Sequence, residues 1–456
     1  MRTTAMKTYL QKKYTYNVLD NLQVDVTIHK RLHELEPQHL FNMAARMNKK
    51  RSFLFVSSVL GKHLAIRPVV PGFASALLAS AFYEARTGNV AEFESCVAAA
   101  LKSGEMEGVN KAVSALSKEK LSLPEDCLFI GFAETATALG QAMFERFTNG
   151  HYVHTTREQV KGTAEALEFK EEHSHATDQL CFIEKELFNQ HEHIVLVDDE
   201  ITTGKTALNI IRAIHAQFPK KEYTVVSLLD WRNEANEQTF RQLEQELDIT
   251  IHTIALLKGE IRVTGNNANL KPLEKEDRPS HDLQIDRHNM SIHFEHTTYQ
   301  SADQLPYIKG TGRFGLSSHE QHQVEIACER AGQELMVNRK GKKTLVLGTG
   351  EFMYIPMKVA AHMGEGVMYH STTRSPIYPI QKDDYAIHDR IEFPSTHGEH
   401  VSNYLYNLRD YDDIFVMFEQ PIDKKRIQPL LEQLASYTSH LHVVCMSQGR
   451  EGNHGA

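Results

Sequence analysis

The chain has 456 residues, 41% of them hydrophobic, with 50 Lys and Arg against 59 Asp and Glu and a formal net charge of −9. This is the balance of an ordinary globular protein long enough for two or three packed cores, and its negative charge argues against a broad nucleic-acid-binding face. No run of eighteen apolar residues occurs and Met1-Arg2-Thr3-Thr4 opens no apolar segment, so neither a membrane span nor a signal peptide is expected. Cys96, Cys127, Cys181, Cys328 and Cys445 lie far apart, which fits neither a disulfide framework nor a thiolate zinc site and points to a reducing cytoplasm. The 26 histidines are scattered without metal-ligand spacing and read as solvated or structural.

In chain order, helical material is expected at Ala74 to Arg86 and Val90 to Leu101. Short apolar runs then alternate with amphipathic stretches: Leu128-Phe129-Ile130 before Leu139 to Phe147, and Ile194-Val195-Leu196-Val197 before Ala207 to Ala216. Tyr223 to Leu229 and Ile249 to Leu257 extend the series, and such strands joined by crossover helices make a parallel sheet. Between Gly265 and Leu305 the composition turns polar, as in Leu270-Lys271-Pro272-Leu273-Glu274-Lys275, and reads as an ordered linker. The α/β rhythm resumes with Thr344 to Leu347, a helix from about Ile355 to His362, Gly366 to Tyr369, Ile414 to Phe418 and Leu441 to Val444. The expected division is 1–264, a linker at 265–305, and a smaller doubly wound domain at 306–456.

The run Ile194 to Val197 delivers Asp198 and Asp199 to the carboxyl end of a strand, where open α/β sheets place their ligands. Thr202, Thr203, Gly204, Lys205 and Thr206 follow and open a helix, so hydroxyls and N–H groups converge where the helix dipole favours an anion. Carboxylates at one end and a phosphate cup at the other suit a ribose 5-phosphate. Gly204-Lys205-Thr206 also matches the end of a nucleotide-hydrolysing P-loop, but the first glycine of that pattern falls at Asp199, whose carboxylate would repel a polyphosphate.

This segment is similar to the donor-binding signature of type I phosphoribosyltransferases, including the orotate enzymes. The resemblance implies a parallel sheet with flanking helices, the donor 5-phosphoribosyl 1-pyrophosphate, and Mg²⁺ without a dedicated protein cage, Asp198 and Asp199 being the candidate ligands. It puts pyrophosphate at the loop containing Gly131, Glu134, Thr135, Ala136 and Thr137, where Glu134-Thr135-Ala136 replaces a glycine-rich pair. Arg157 would clamp pyrophosphate, acting with the two aspartates in catalysis, and Glu171 to Asp178, with Glu172, His173, Ser174 and His175, would form a hood that excludes water. Trp231, the single tryptophan, stands at a strand end, where stacking on an acceptor and packing in the core or rim are both open.

In the second half, Leu347-Gly348-Thr349-Gly350-Glu351-Phe352-Met353 has Met353 where a dinucleotide fingerprint needs its third glycine, so a nicotinamide cofactor is not expected. Thr373, Arg374 and Ser375, with the turn at Gly348 and Gly350, form a candidate anion site. Thr373-Arg374-Ser375-Pro376 downstream of Gly348-Thr349-Gly350-Glu351-Phe352, with Phe53 to His63 upstream, resembles two-domain phosphoribosyltransferases with a C-terminal TRSP domain, found in bacterial tellurite-resistance and stress-response gene clusters. The resemblance implies a cytoplasmic enzyme making a nucleoside-like metabolite from small-molecule substrates. It allows a homodimer and partner enzymes of the same gene cluster, with no membrane or nucleic-acid partner. A donor-sensing regulator without turnover, and a sugar-phosphate hydrolase acting through the second domain, are the alternative readings.

Overall fold

The computed structural model describes residues 11–47, 51–158, 160–161, 167–169, 179–268, 270, 278–396 and 401–448. Its architecture is mixed α/β, organised around two sheets. The apolar runs become the buried strands Cys127–Gly131, His193–Ile201 and Glu222–Asp230, because a strand covered on both faces must be apolar on both. They lie at the centre of an eight-stranded sheet in the order Lys12–Leu19, Leu22–Arg31, Thr250–Gly265, Glu222–Asp230, His193–Ile201, Cys127–Gly131, His151–His154 and Leu316–Ser317. The five strands from Thr250–Gly265 to His151–His154 run parallel, and antiparallel strands close both edges. Helices Val70–Thr87 and Ala136–Phe144 pack on each other and against the sheet.

The second sheet has five parallel strands in the order Gln284–Asn289, His440–Cys445, Asp413–Phe418, Thr344–Gly348 and Val367–Ser371. Its first strand comes from the polar segment at 265–305. Gln-Ile-Asp-Arg-His-Asn makes a largely exposed edge strand, and polar residues there discourage pairing with another chain. That segment therefore contributes structure to the second sheet in addition to connecting the halves.

The two halves also share core. Ile377, Tyr385, Ile387, Tyr404 and Tyr406 are buried in the same apolar cluster as the first sheet, whereas Ala138 and Ala142 are buried with the second. Backbone bonds between Ile66 and Tyr369, and from Ser371 N–H to Gly61 O at 2.7 Å, tie an N-terminal loop to a strand of the second sheet. The carboxyl ends of both sets of strands meet in this interface, so the loops that carry the chemistry of each half face one another.

Candidate active site

Strand His193–Ile201 continues four residues past its fully buried stretch, leaving Asp198, Asp199 and Glu200 half-buried near its carboxyl end before the buried Ile201. Burial first, then the neighbouring Asp199, pushes the Asp198 carboxyl well above the usual carboxylate range. Glu200 is raised by burial and partly compensated by Arg51, whose guanidinium lies 2.6 Å from it. The chain then turns through Thr202 and Thr203 into helix Lys205–Gln217, capped by Gly204 at φ 77°. Only glycine fits there: a Cβ would also stand 2.3 Å from the Phe240 ring. Thr203 and Lys205 are exposed and Thr202 and Thr206 half-buried, so this helix N-terminus is open to a ligand.

On the adjacent strand, Gly131 leads into a loop whose Ala133–Glu134 peptide is cis. The Ala133 N–H donates to Thr155 Oγ1 at 2.8 Å, and the Thr137 hydroxyl donates to the Glu134 carbonyl at 3.2 Å, so the loop is held from inside before helix Ala136–Phe144 begins. Lys62 donates to the Thr135 hydroxyl. A Cβ at Gly131 would meet the Tyr152 hydroxyl at 2.6 Å, which accounts for glycine at this close approach.

The second half completes this surface. Glu351, in the turn after Thr344–Gly348, accepts from the Thr156 hydroxyl at 2.5 Å and from the Arg157 N–H at 2.9 Å. Burial, then Glu158, raises its carboxyl to about 7 in spite of Arg313. Arg313 is buried, 2.9 Å from Glu419 and 3.9 Å from both Glu158 and Glu351, with the Tyr307 ring 4.5 Å away. Arg157 keeps its main chain on Glu351, while its Nε has no hydrogen-bond partner among the described residues.

Two expectations are corrected. The hydroxyls and amides of the second-half turn do not surround Arg374: Gly350 N–H donates to Thr372 Oγ1 at 2.9 Å, Ser375 N–H to Thr373 Oγ1 at 3.2 Å, and the Tyr406 hydroxyl to the Ser375 carbonyl. Thr372 and Thr373 are buried because they stitch the loops together, and a Cβ at Gly348 would meet the Phe352 carbonyl at 2.8 Å. Arg374 reaches instead toward the first half, 3.7 Å from Glu134. Trp231 presents no face to an acceptor: it is 3% exposed, stacked on Phe55 at 5.0 Å and edge-on to Phe41 at 5.8 Å. Glu172, His173, Ser174 and His175 lie outside the described residues. Glu351, Arg313, Lys62 and Arg51 were missed as site residues. The one local signal was an acid inside a glycine turn at Gly350-Glu351.

Residues 40–260 match a family described as phosphoribosyl transferase, and residues 310–434 match one described as the TRSP domain C-terminal to it. The chain thus joins a phosphoribosyltransferase domain to a TRSP domain and is a glycosyltransferase-type enzyme. Nothing among curated proteins matches it. Among solved structures it is similar to adenine phosphoribosyltransferase from Trypanosoma brucei, at 14% identity and TM-score 0.23 over 34% of this chain and 68% of that one. The adenine enzyme of Rhodothermus marinus gives 19% and 0.20 over 34% and 82%, and the orotate enzyme of Aeropyrum pernix 16% and 0.19 over 34% and 74%.

Proposed function

We propose that the protein transfers the 5-phosphoribosyl group from 5-phosphoribosyl 1-pyrophosphate to a nitrogen of a base-like acceptor, with release of pyrophosphate. What carries this reading is one strand-turn-helix unit that sets the half-buried Asp198 and Asp199 directly before an open, hydroxyl-rich helix N-terminus. Asp198 and Asp199 accept from the ribose hydroxyls. Thr202, Thr203, Thr206 and Lys205, with the first N–H groups of the helix, hold the 5-phosphate. The loop from Gly131 to Thr137 and the Arg157 guanidinium receive pyrophosphate, which departs with the electron pair of its bond to C1 as the new nitrogen–C1 bond forms.

Asp198 and Asp199 also fit Mg²⁺, because burial and the neighbouring carboxylate disfavour the Asp198 charge, and a pair of adjacent carboxyl groups in that state is an oxygen donor set short of positive charge. When bound, Mg²⁺ supplies neutralisation of the leaving pyrophosphate. The second half shields the reacting carbon from water through Glu351, which holds Thr156 and Arg157 in place. A nucleoside-like product, made in the cytoplasm and serving tellurite or stress responses, belongs to this reading through the resemblance of the motifs. Free cysteines suit that compartment.

The test is calorimetry and pyrophosphate release with the full chain, the donor, Mg²⁺ and pooled heterocyclic acceptors. Donor binding that requires Mg²⁺ and disappears in Asp198→Asn/Asp199→Asn is expected. A wild-type chain that does not bind the donor overturns the proposal.

A further inference from the structure

At the amino ends of the central strands, opposite the edge that carries Asp198, three adjacent strands begin on residues with metal-binding side chains. Cys127, His193 and Glu222 open Cys127–Gly131, His193–Ile201 and Glu222–Asp230, and in register Cys127 stands beside His193 and His193 beside Glu222. Register partners on adjacent strands project to the same face of a sheet, so one imidazole stands between a thiol and a carboxylate. Glu125, two residues before Cys127, brings a second carboxylate. One ligand atom from each of Glu125, Cys127 and His193 lies within 4.8 Å of the other two. Cys127 and His193 are buried, and the Glu125 side chain, 42% exposed, opens the group to solvent.

The His193 ring is 1% exposed, and its Nδ1 lies 3.5 Å from the Glu125 carboxylate and 3.8 Å from that of Glu222, longer than an ordinary hydrogen bond. Tetrahedral zinc at its usual bond lengths separates nitrogen, oxygen and sulfur ligands by about 3.3–3.6 Å. The gap between Nδ1 and Glu125 is therefore the width of a shared cation. The other ring nitrogen, Nε2, is 2.8 Å from the buried Thr224 hydroxyl, the kind of outer partner that keeps the proton on Nε2 and leaves Nδ1 free to ligate. Phe82, edge-on at 5.8 Å, fixes the ring. Arg86 donates to both Glu125 and Glu222, and His252 Nε2 lies 2.9 Å from Glu222, so the carboxylates are held in place from behind. The Cys127 thiol makes a long contact, 3.8 Å, to the Glu125 carbonyl. With neutral imidazoles, two carboxylates face one guanidinium, and a divalent ion that displaces the thiol proton brings the group to zero net charge.

We propose that Glu125, Cys127 and His193 hold a zinc ion that pins together the amino ends of the central strands, a site separate from the donor and Mg²⁺ at the carboxyl edge and independent of phosphoribosyl transfer. Thiolate, imidazole and carboxylate together suit zinc, whereas Mg²⁺ and Ca²⁺ take oxygen ligands. As the bond from sulfur to zinc forms, the thiol proton passes to solvent, and a water on the exposed Glu125 side completes the four positions. Cys127 and His193 belong to different strands, and their separation along the chain matches no short ligand motif, so only the pairing of the strands brings them together.

The test uses the full chain, freed of metal by a chelator, titrated calorimetrically with Zn²⁺ and followed in parallel by absorption with Co²⁺. One tight site per chain, a rise in thermal midpoint with Zn²⁺ and a thiolate-to-cobalt charge-transfer band are expected, and excess Mg²⁺ should displace neither ion. Cys127→Ser should abolish the band, and both Cys127→Ser and Glu125→Gln should weaken zinc at least tenfold. Glu125 is partly exposed, so that variant keeps the test decisive should the buried cysteine variant not fold. A wild-type cobalt spectrum without the thiolate band overturns the proposal. So does zinc affinity unchanged in Glu125→Gln, which would assign the bound metal to adventitious sites at surface histidines, and so does a thermal midpoint that zinc leaves unmoved.

Discussion

The two carboxyl edges are built from the same strand-turn-helix grammar and use it differently. After His193–Ile201 the turn leaves Thr203 and Lys205 exposed beside two half-buried aspartates, so it faces solvent. After Thr344–Gly348 and Val367–Ser371, Gly350, Thr372 and Thr373 bond to one another and to adjacent backbone, while Glu351 and Arg374 reach toward the first half. The lesson is that a strand end rich in Gly, Thr and Ser serves packing where its donors and acceptors staple buried loops together. The first edge faces solvent; the second packs against it.

The sharpest way to break this contrast is at the first edge. Each charge-assisted bond lost there costs about 1.5–3 kcal/mol, so Asp198→Asn/Asp199→Asn should weaken donor binding by about a hundredfold to ten-thousandfold. Its thermal midpoint should not fall, because burial already disfavours the Asp198 charge. Calorimetry with a melting curve checks both, and unchanged donor affinity would leave the first edge as inert as the second.

If the second edge packs against the first, their joint should matter for stability. Arg313→Ala leaves Glu419, Glu158 and Glu351 without their buried cation and should cost about 3–5 kcal/mol in denaturant unfolding. A loss under 1 kcal/mol would mean that this buried ion cluster does not hold the halves together.

A pH series isolates Glu351. Its carboxyl rises from 4.5 to about 7 on folding. Below pH 4.5 both states keep the proton, and as pH rises from there to about 7 the unfolded chain releases it while the folded chain does not. Its contribution to stability therefore falls across that window, by up to about 3 kcal/mol. Glu351→Gln should flatten the slope between pH 4.5 and 7, and an unchanged slope would place the titration elsewhere. The smallest effect is expected at Trp231→Phe: about 1 kcal/mol of stability and no change in turnover beyond twofold, since the ring packs on Phe55 and Phe41.

Much of the framework could be read from the amino acids alone. Apolar runs with β-branched residues, such as Ile194 to Val197 and Ile414 to Phe418, are buried strands, and the Asp-Asp and Thr-Thr-Gly-Lys-Thr pattern of the proposed donor site falls at the end of one of them. Helix Ser318–Met336 was not recognised, although Ser317 and Glu320 form a capping box, because His, Glu and Gln interrupt its apolar face. The antiparallel strands Lys12–Leu19 and Leu22–Arg31 escaped for the related reason that an edge hairpin needs apolar residues on one face only. What only the tertiary structure decided is which polar groups remain free. Trp231 at a strand end is equally compatible with a stacking platform and a core residue, and Thr372 and Thr373 with an anion cup and a loop staple, until their neighbours are known. The contact of Glu351 with Thr156 and Arg157 joins positions almost 200 residues apart along the chain. Local propensity is set by neighbours in sequence, whereas burial and electrostatic coupling depend on neighbours in space, and those exist only once the two sheets have packed.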